Sequence, residues 1–160
     1  SGRVLIDGAD MTRVPPERRP VTMVFQRHAL FPHLTVFENI AFSMRARHLP
    51  QGVVRSRVDE LLGLIDLEPY RQAKPDVLSG GQCQRVAFAR APAADAEVVL
   101  FDEPLNSLDQ ALKASLVAEL SALHGARRFT ALYVTHDLEE ARALGDRIYR
   151  LDGGRVNAAG

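Results

Sequence analysis

A single cysteine, no excess charge of either sign and no long hydrophobic run set the first limits on this sequence of 160 residues. Cys83 alone cannot close an internal disulfide, and no Cys/His pairs stand at zinc spacing. A disulfide scaffold and a zinc finger are thereby excluded, and a reducing, cytosolic setting is expected. Twenty Lys and Arg balance 20 Asp and Glu, so no global field draws the chain to nucleic acid or to anionic lipid. No apolar stretch approaches the roughly 18 residues of a membrane span, and no charged-then-apolar leader opens the chain. Any membrane role is therefore expected to run through a partner. The chain begins at Ser1 and enters directly into strand-like "GRVLIDG", which reads as part of something longer.

What is present alternates between two periodicities, with no internal repeat. "RVLI" (3–6) and "VTMVF" (21–25) are β-branched runs separated by "PPERRP", which cannot be regular structure. Val36, Phe37, Ile40, Ala41 and Met44 share one helical face, and Val54, Val58, Leu61, Leu62 and Ile65 share another. A third helix follows Gly80-Gly81. "VVLFD" (98–102) and "TALYVTH" (130–136) are apolar runs of the kind buried on both faces of a parallel sheet. Between them Leu112, Leu116, Leu120 and Leu123 mark a helix; after them come the short helix "DLEEARAL" and a hairpin turning at Gly153-Gly154. Strands alternating with helices predict an α/β fold with a mostly parallel sheet.

Two stretches carry chemistry. "VVLFDEP" ends an apolar strand in adjacent carboxylates, Asp102 and Glu103. Successive residues in an extended chain point to opposite sides, so one carboxylate can reach a metal while the other addresses a water. "LSGGQ" (78–82) sets Ser79 and two glycines in front of a helix, where free N–H groups and the helix dipole favour phosphate. Taken alone, it also reads as a plain serine cap with glycines in a turn.

Together these residues resemble the ATPases of the ABC family. "LSGGQ" is similar to their signature, "VVLFDEP" to their Walker B with its catalytic Glu, and "LNSLD" (105–109) to their D-loop. "YVTHD" (133–137) resembles their switch histidine, and "VFQRHALFPHLTVFENI" (24–40) their Q-loop. The resemblance implies a partial P-loop NTPase fold, with a helical signature subdomain over about 36–92 and core α/β over 1–35 and 93–160. It implies ATP and Mg²⁺ as cofactors. Asp102 would hold Mg²⁺ through water, Glu103 would be the general base, His136 would contact the γ-phosphate, and Gln26 would touch Mg²⁺ or the attacking water. Ser79, Gly80, Gly81 and Gln82 would press on ATP held by a second subunit, and Asp109 would cross that head-to-tail dimer interface. "ALFPHLTVFENIAF" is similar to importer ATPases, in which this region meets a membrane permease. "VPPERRPVTMVFQ" and "LEPYRQAKPDVLSGGQ" look most like the spermidine/putrescine group, with iron, sugar and thiamine importers close behind. That places the chain at the cytoplasmic face of the membrane.

The departures from the family pattern are as informative. The sequence contains no G-x-x-x-x-G-K-[ST] phosphate loop and no upstream aromatic for adenine. In the family both precede "GRVLIDG", so the first β region and the loop are expected outside this chain. The missing strand is expected between the Walker B and switch-histidine strands, leaving both without a shared neighbour. Pro92 is expected to end the signature helix near Ala91, because an interior proline costs about 3 kcal/mol. Asn106-Ser107 stands where Ser-Ala is common, and Cys83 where Gln or Arg is usual. The β-rich regulatory domain that many importer subunits carry is not among these 160 residues. Two other readings compete: a catalytically incompetent fragment that lends only its signature face to a partner's ATP, and a soluble ABC ATPase of DNA repair or translation. The second would want a basic surface that this sequence lacks.

Overall fold

The computed structural model describes residues 2–25, 29–93, 96–106, 108–127 and 129–159. Its first element is a two-residue hairpin, β1 (Leu5–Ile6) against β2 (Ala9–Asp10), turning at Asp7-Gly8, both at positive φ. Asp-Gly is the dipeptide such a turn favours, so the strand predicted over 3–6 is shorter than its apolar run.

Three parallel strands form the central sheet. β3 (Val21–Val24) pairs with β4 (Val98–Asp102), and β4 pairs with β5 (Thr130–Val134). The β4–β5 ladder is continuous from Val98 opposite Thr130 to Asp102 opposite Val134. The expected gap between these two strands is therefore absent. A single helix, α4 (Gln110–Arg127), makes the crossover between them, and such a β-helix-β unit brings successive strands side by side.

Three helices precede β4. α1 (Val36–Ala46) begins with a capping box: Thr35 Oγ1 accepts the Glu38 N–H at 3.2 Å, and Glu38 Oε2 accepts the Thr35 N–H at 2.9 Å. Buried Asn39 ties the incoming loop to the helix through Phe31, Leu34 and Thr35 carbonyls and the Phe31 N–H. α2 (Gln51–Leu64) buries Val54, Val58, Leu61 and Leu62, the face its sequence predicts. α3 (Gly80–Ala93) packs on α1, α2, α4 and β3, and it runs through Pro92 instead of stopping at Ala91. The proline costs the Phe88 carbonyl its helical donor only in the last turn, where the chain is leaving the helix in any case.

One apolar cluster runs from Ile40, Met44, Leu61 and Phe88 through Val99 and Phe101 to Leu116, Leu120 and Leu123 of α4. It covers one face of the sheet. On β4 only Val99 and Phe101 are fully buried, and along β5 Leu132 and Val134 are 58% and 49% exposed. Burial on both faces, expected from the apolar runs, is thus not found: along β5 only Tyr133 is partly buried. α5 (Leu138–Leu144) and the hairpin β6 (Ile148–Asp152) to β7 (Arg155–Ala159) follow, turning at Gly153-Gly154 as expected.

Candidate functional site

The two carboxylates, the histidine and Asn106 gather where β4 and β5 end. β4 stops at Asp102, an exposed side chain, and the next residue breaks the extended run: Glu103 sits at φ +42°. A glutamate in the left-handed region is strained, and such residues persist where neighbours hold them. Here the Glu103 N–H donates to the Val134 carbonyl at 3.0 Å, which anchors it to the end of β5. The simple alternation expected of Asp102 and Glu103 does not extend to Glu103, because that residue has left the strand.

The turn aims Glu103 at two side chains. Asn106 Nδ2 donates to its Oε2 at 2.8 Å, and His136 Nδ1 lies 3.6 Å from its Oε1. His136 follows β5 and is 62% exposed, so its ring is open to a ligand on this rim. Its neighbour Asp137 caps α5, and the Glu139 N–H that it accepts holds the Asp137 carboxyl below the usual carboxylate range. Asn106 was legible only as a departure from the family's D-loop. Its contact with Glu103 depends on the turn at residues 103–106, which sequence spacing does not reveal.

The remaining predicted residues lie elsewhere. Asp109 caps α4, its Oδ1 accepting the Leu112 N–H at 3.0 Å. Ser79 and Gln82 cap α3 reciprocally: the Ser79 N–H donates to Gln82 Oε1 at 2.9 Å and the Gln82 N–H to Ser79 Oγ at 3.3 Å. The two glycines differ. A Cβ on Gly80 would meet open space, whereas one on Gly81 would stand 3.0 Å from both Leu112 methyls. Close packing on α4 accounts for the second bare residue, and the first leaves backbone open to solvent. No hydrogen bond or ion pair among the described residues joins the signature turn to Glu103 or His136. Gln26 lies outside the described residues.

No three His, Cys, Asp or Glu side chains among the described residues stand together as a protein cage. The exposed carboxylate of Asp102 is compatible with Mg²⁺, which keeps waters and takes its other oxygens from phosphates. The helix start at Gly80 offers N–H groups of the kind that meet phosphate.

Similarity to known proteins points the same way. Over 160 residues, 100% of this chain, the sequence is 48% identical to the spermidine/putrescine import ATP-binding protein PotA of Thermotoga maritima, covering 44% of that protein. It is 48% identical to the protein of that name from Acidothermus cellulolyticus and 46% to that of Escherichia coli K12, covering 42% of each. The chain thus spans less than half the length of these curated relatives. The dimeric structure of the ATP-binding cassette MJ0796, in a post-hydrolysis state bound to ADP and Pi, superposes with a TM-score of 0.80 at 32% identity, over 99% of this chain and 73% of that one. The family pattern described as ABC transporter matches residues 1–106, more than half of the chain, and the chain belongs to that family.

Proposed function

We propose that this chain supplies part of the ATP-hydrolysing, energy-coupling subunit of an importer, with a polyamine or a similarly small solute as cargo. The observation that carries the reading is the pairing of Glu103 with His136, 3.6 Å apart on the rim where β4 and β5 end. Bound Mg²⁺ would neutralise phosphate charge, with Asp102 reaching it through water. Glu103 is the general base that takes a proton from the attacking water, its carboxylate oriented by Asn106. His136 contacts the γ-phosphate from the end of the neighbouring strand, and Gln26 reads the same phosphate. Ser79, Gly80, Gly81, Gln82 and Asp109 serve ATP held by a second, head-to-tail subunit, a role supported by the open backbone at Gly80. Since the sequence has no G-x-x-x-x-G-K-[ST] motif, the β- and γ-phosphate cradle comes from residues outside these 160.

The Q-loop region, with "ALFPHLTVFENIAF" (29–42), is the proposed contact with the membrane partner. A cleft of about 90 Å³ between β3, α1 and α3 is lined by Met23, Phe25, Phe42, Ala87 and Arg90. Arg90 lies over the Phe31 ring at 4.9 Å, and Phe31 meets Phe42 at 4.5 Å. The exposed Phe25 and Phe42 beside Arg90 suit the side chains of a short permease helix laid across this surface. No helix among the described residues is long and apolar enough to cross a bilayer, and the subunit is proposed to sit at the cytoplasmic membrane face through that partner.

Hydrolysis by the subunit with its phosphate loop tests the reading. Glu103→Gln is expected to lower kcat by at least about 100-fold, the usual scale of a general base, while Mg-ATP still binds. An enzyme that hydrolyses equally well with glutamine there would remove Glu103 from its role. In calorimetry the 160 residues alone are expected not to bind Mg-ATP tightly; tight binding would mean that some other group here holds the phosphates.

A further inference from the structure

Both neighbours of His136 are held from outside their own loop. Thr135 Oγ1 donates to Glu140 Oε2 at 2.9 Å and accepts the Asp137 N–H at 3.0 Å. The Tyr133 hydroxyl donates to the same Glu140 oxygen at 3.0 Å. Burial, with the nearby Glu140 carboxylate, pushes that hydroxyl far above its ordinary value, so it remains a donor. The other Glu140 oxygen meets Lys113 Nζ at 3.1 Å, and the same ammonium reaches Asp137 Oδ2 at 3.7 Å.

Glu140 is buried, at 5% exposure. A carboxylate withdrawn from water is costly unless its oxygens are satisfied. Here one ammonium and two hydroxyls satisfy it, and a fully satisfied network holds its members rigidly. Its four contributors come from β5, the loop after it, α5 and α4. Lys113 lies one turn beyond Asp109, whose carbonyl accepts the Lys113 N–H at 3.0 Å. The first turn of α4 therefore connects the D-loop aspartate to the loop that carries the histidine.

We propose that Glu140 and Lys113 are positioning residues for ATP hydrolysis: they clamp Thr135 and Asp137 and so hold the His136 ring against Glu103. The proposal rests on the reading of Glu103 and His136 as the hydrolytic pair. A double-mutant cycle in the full-length subunit separates it from plain structural support. Glu140→Gln, which keeps the size and removes the charge, is expected to lower kcat about tenfold with the KM for ATP within about twofold. In a His136→Ala background the same change is expected to cost less than about twofold, because its effect passes through the imidazole. Lys113→Met should behave alike and Lys113→Arg should recover most of the loss; Lys113→Met carries the cycle if Glu140→Gln does not fold. Equal losses in both backgrounds, or full activity in the single variants, would overturn the proposal. An activity-independent readout accompanies it: the His136 imidazole NMR signals should shift in the Glu140 and Lys113 variants, while those of His124, bonded to the Phe129 carbonyl at 2.8 Å, stay in place. Unmoved His136 signals would also overturn it. Hydrolysis that survives Glu103→Gln instead counts against the proposed function, and the NMR readout still decides the positioning role.

Discussion

The two signature glycines look equivalent in sequence and have opposite surroundings in the fold. Gly80 faces open space, so Gly80→Ala should leave stability unchanged or raise it by up to about 1 kcal/mol, alanine being the better helix former. If the turn must stay bare for a partner's phosphate, the same variant should lose ATPase activity in the dimer. Gly81→Ala pushes a methyl against Leu112. A net cost of about 1 kcal/mol is expected, as overpacking outweighs the gain in helix propensity. Leu112→Ala should relieve that penalty in a denaturant titration, and additive losses would show that the contact is not its source. At this scale "LSGGQ" was legible as a helix start, since Ser79 and two glycines stand directly before a helical run. Which glycine is buried was not legible, because Leu112 is 31 positions away in the chain.

At the scale of elements, α3 and α4 are braced by Arg85 and Glu119, whose charged atoms lie 2.8 Å apart, with Arg85 also donating to the Ile65 carbonyl at the end of α2. Burial pushes the Glu119 carboxyl above its ordinary 4.5, while Ser115 and Arg85 pull the other way. An acid whose folded value is raised binds more protons folded than unfolded, so its contribution to stability falls as pH rises through and above 4.5. Arg85→Met removes the charge that opposes this shift. The variant is expected to be less stable at pH 7 by about 2 kcal/mol and to recover part of that loss near pH 5. Thermal unfolding at the two pH values checks it, and a pH-independent loss would count against the brace. The apolar periodicity of α1, α2 and α4 predicted their buried faces almost residue for residue. It did not predict this brace, because a helical period reports which face is covered and not which polar groups meet across it.

On the scale of the whole chain, the sheet is covered on one face and open along β5. Leu132 and Val134 are exposed there, and Leu151 of β6 is 73% exposed. An apolar strand edge of this kind pairs readily with other chains. The 160 residues in isolation should therefore bind a hydrophobic dye and associate at micromolar concentration, and Leu132→Lys should reduce both. Light scattering unchanged by the lysine would place the association elsewhere. The exposure also explains why burial on both faces was wrongly expected of "TALYVTH": an apolar run records what a strand needs, and what covers it is settled by the elements that pack on it.

Periodicity was enough to predict an α/β fold and the helix faces, and the resemblance of five motifs pointed to the ABC family, because each is written in local spacing or in nearest neighbours along the chain. Only the tertiary structure decided that β4 and β5 are direct neighbours, that Glu103 leaves the strand in a strained turn to meet His136, and that Glu140 and Lys113 pin the loop around that histidine. These are contacts between residues tens of positions apart, set by packing and by the need to satisfy buried charge, and no local pattern in the sequence encodes them.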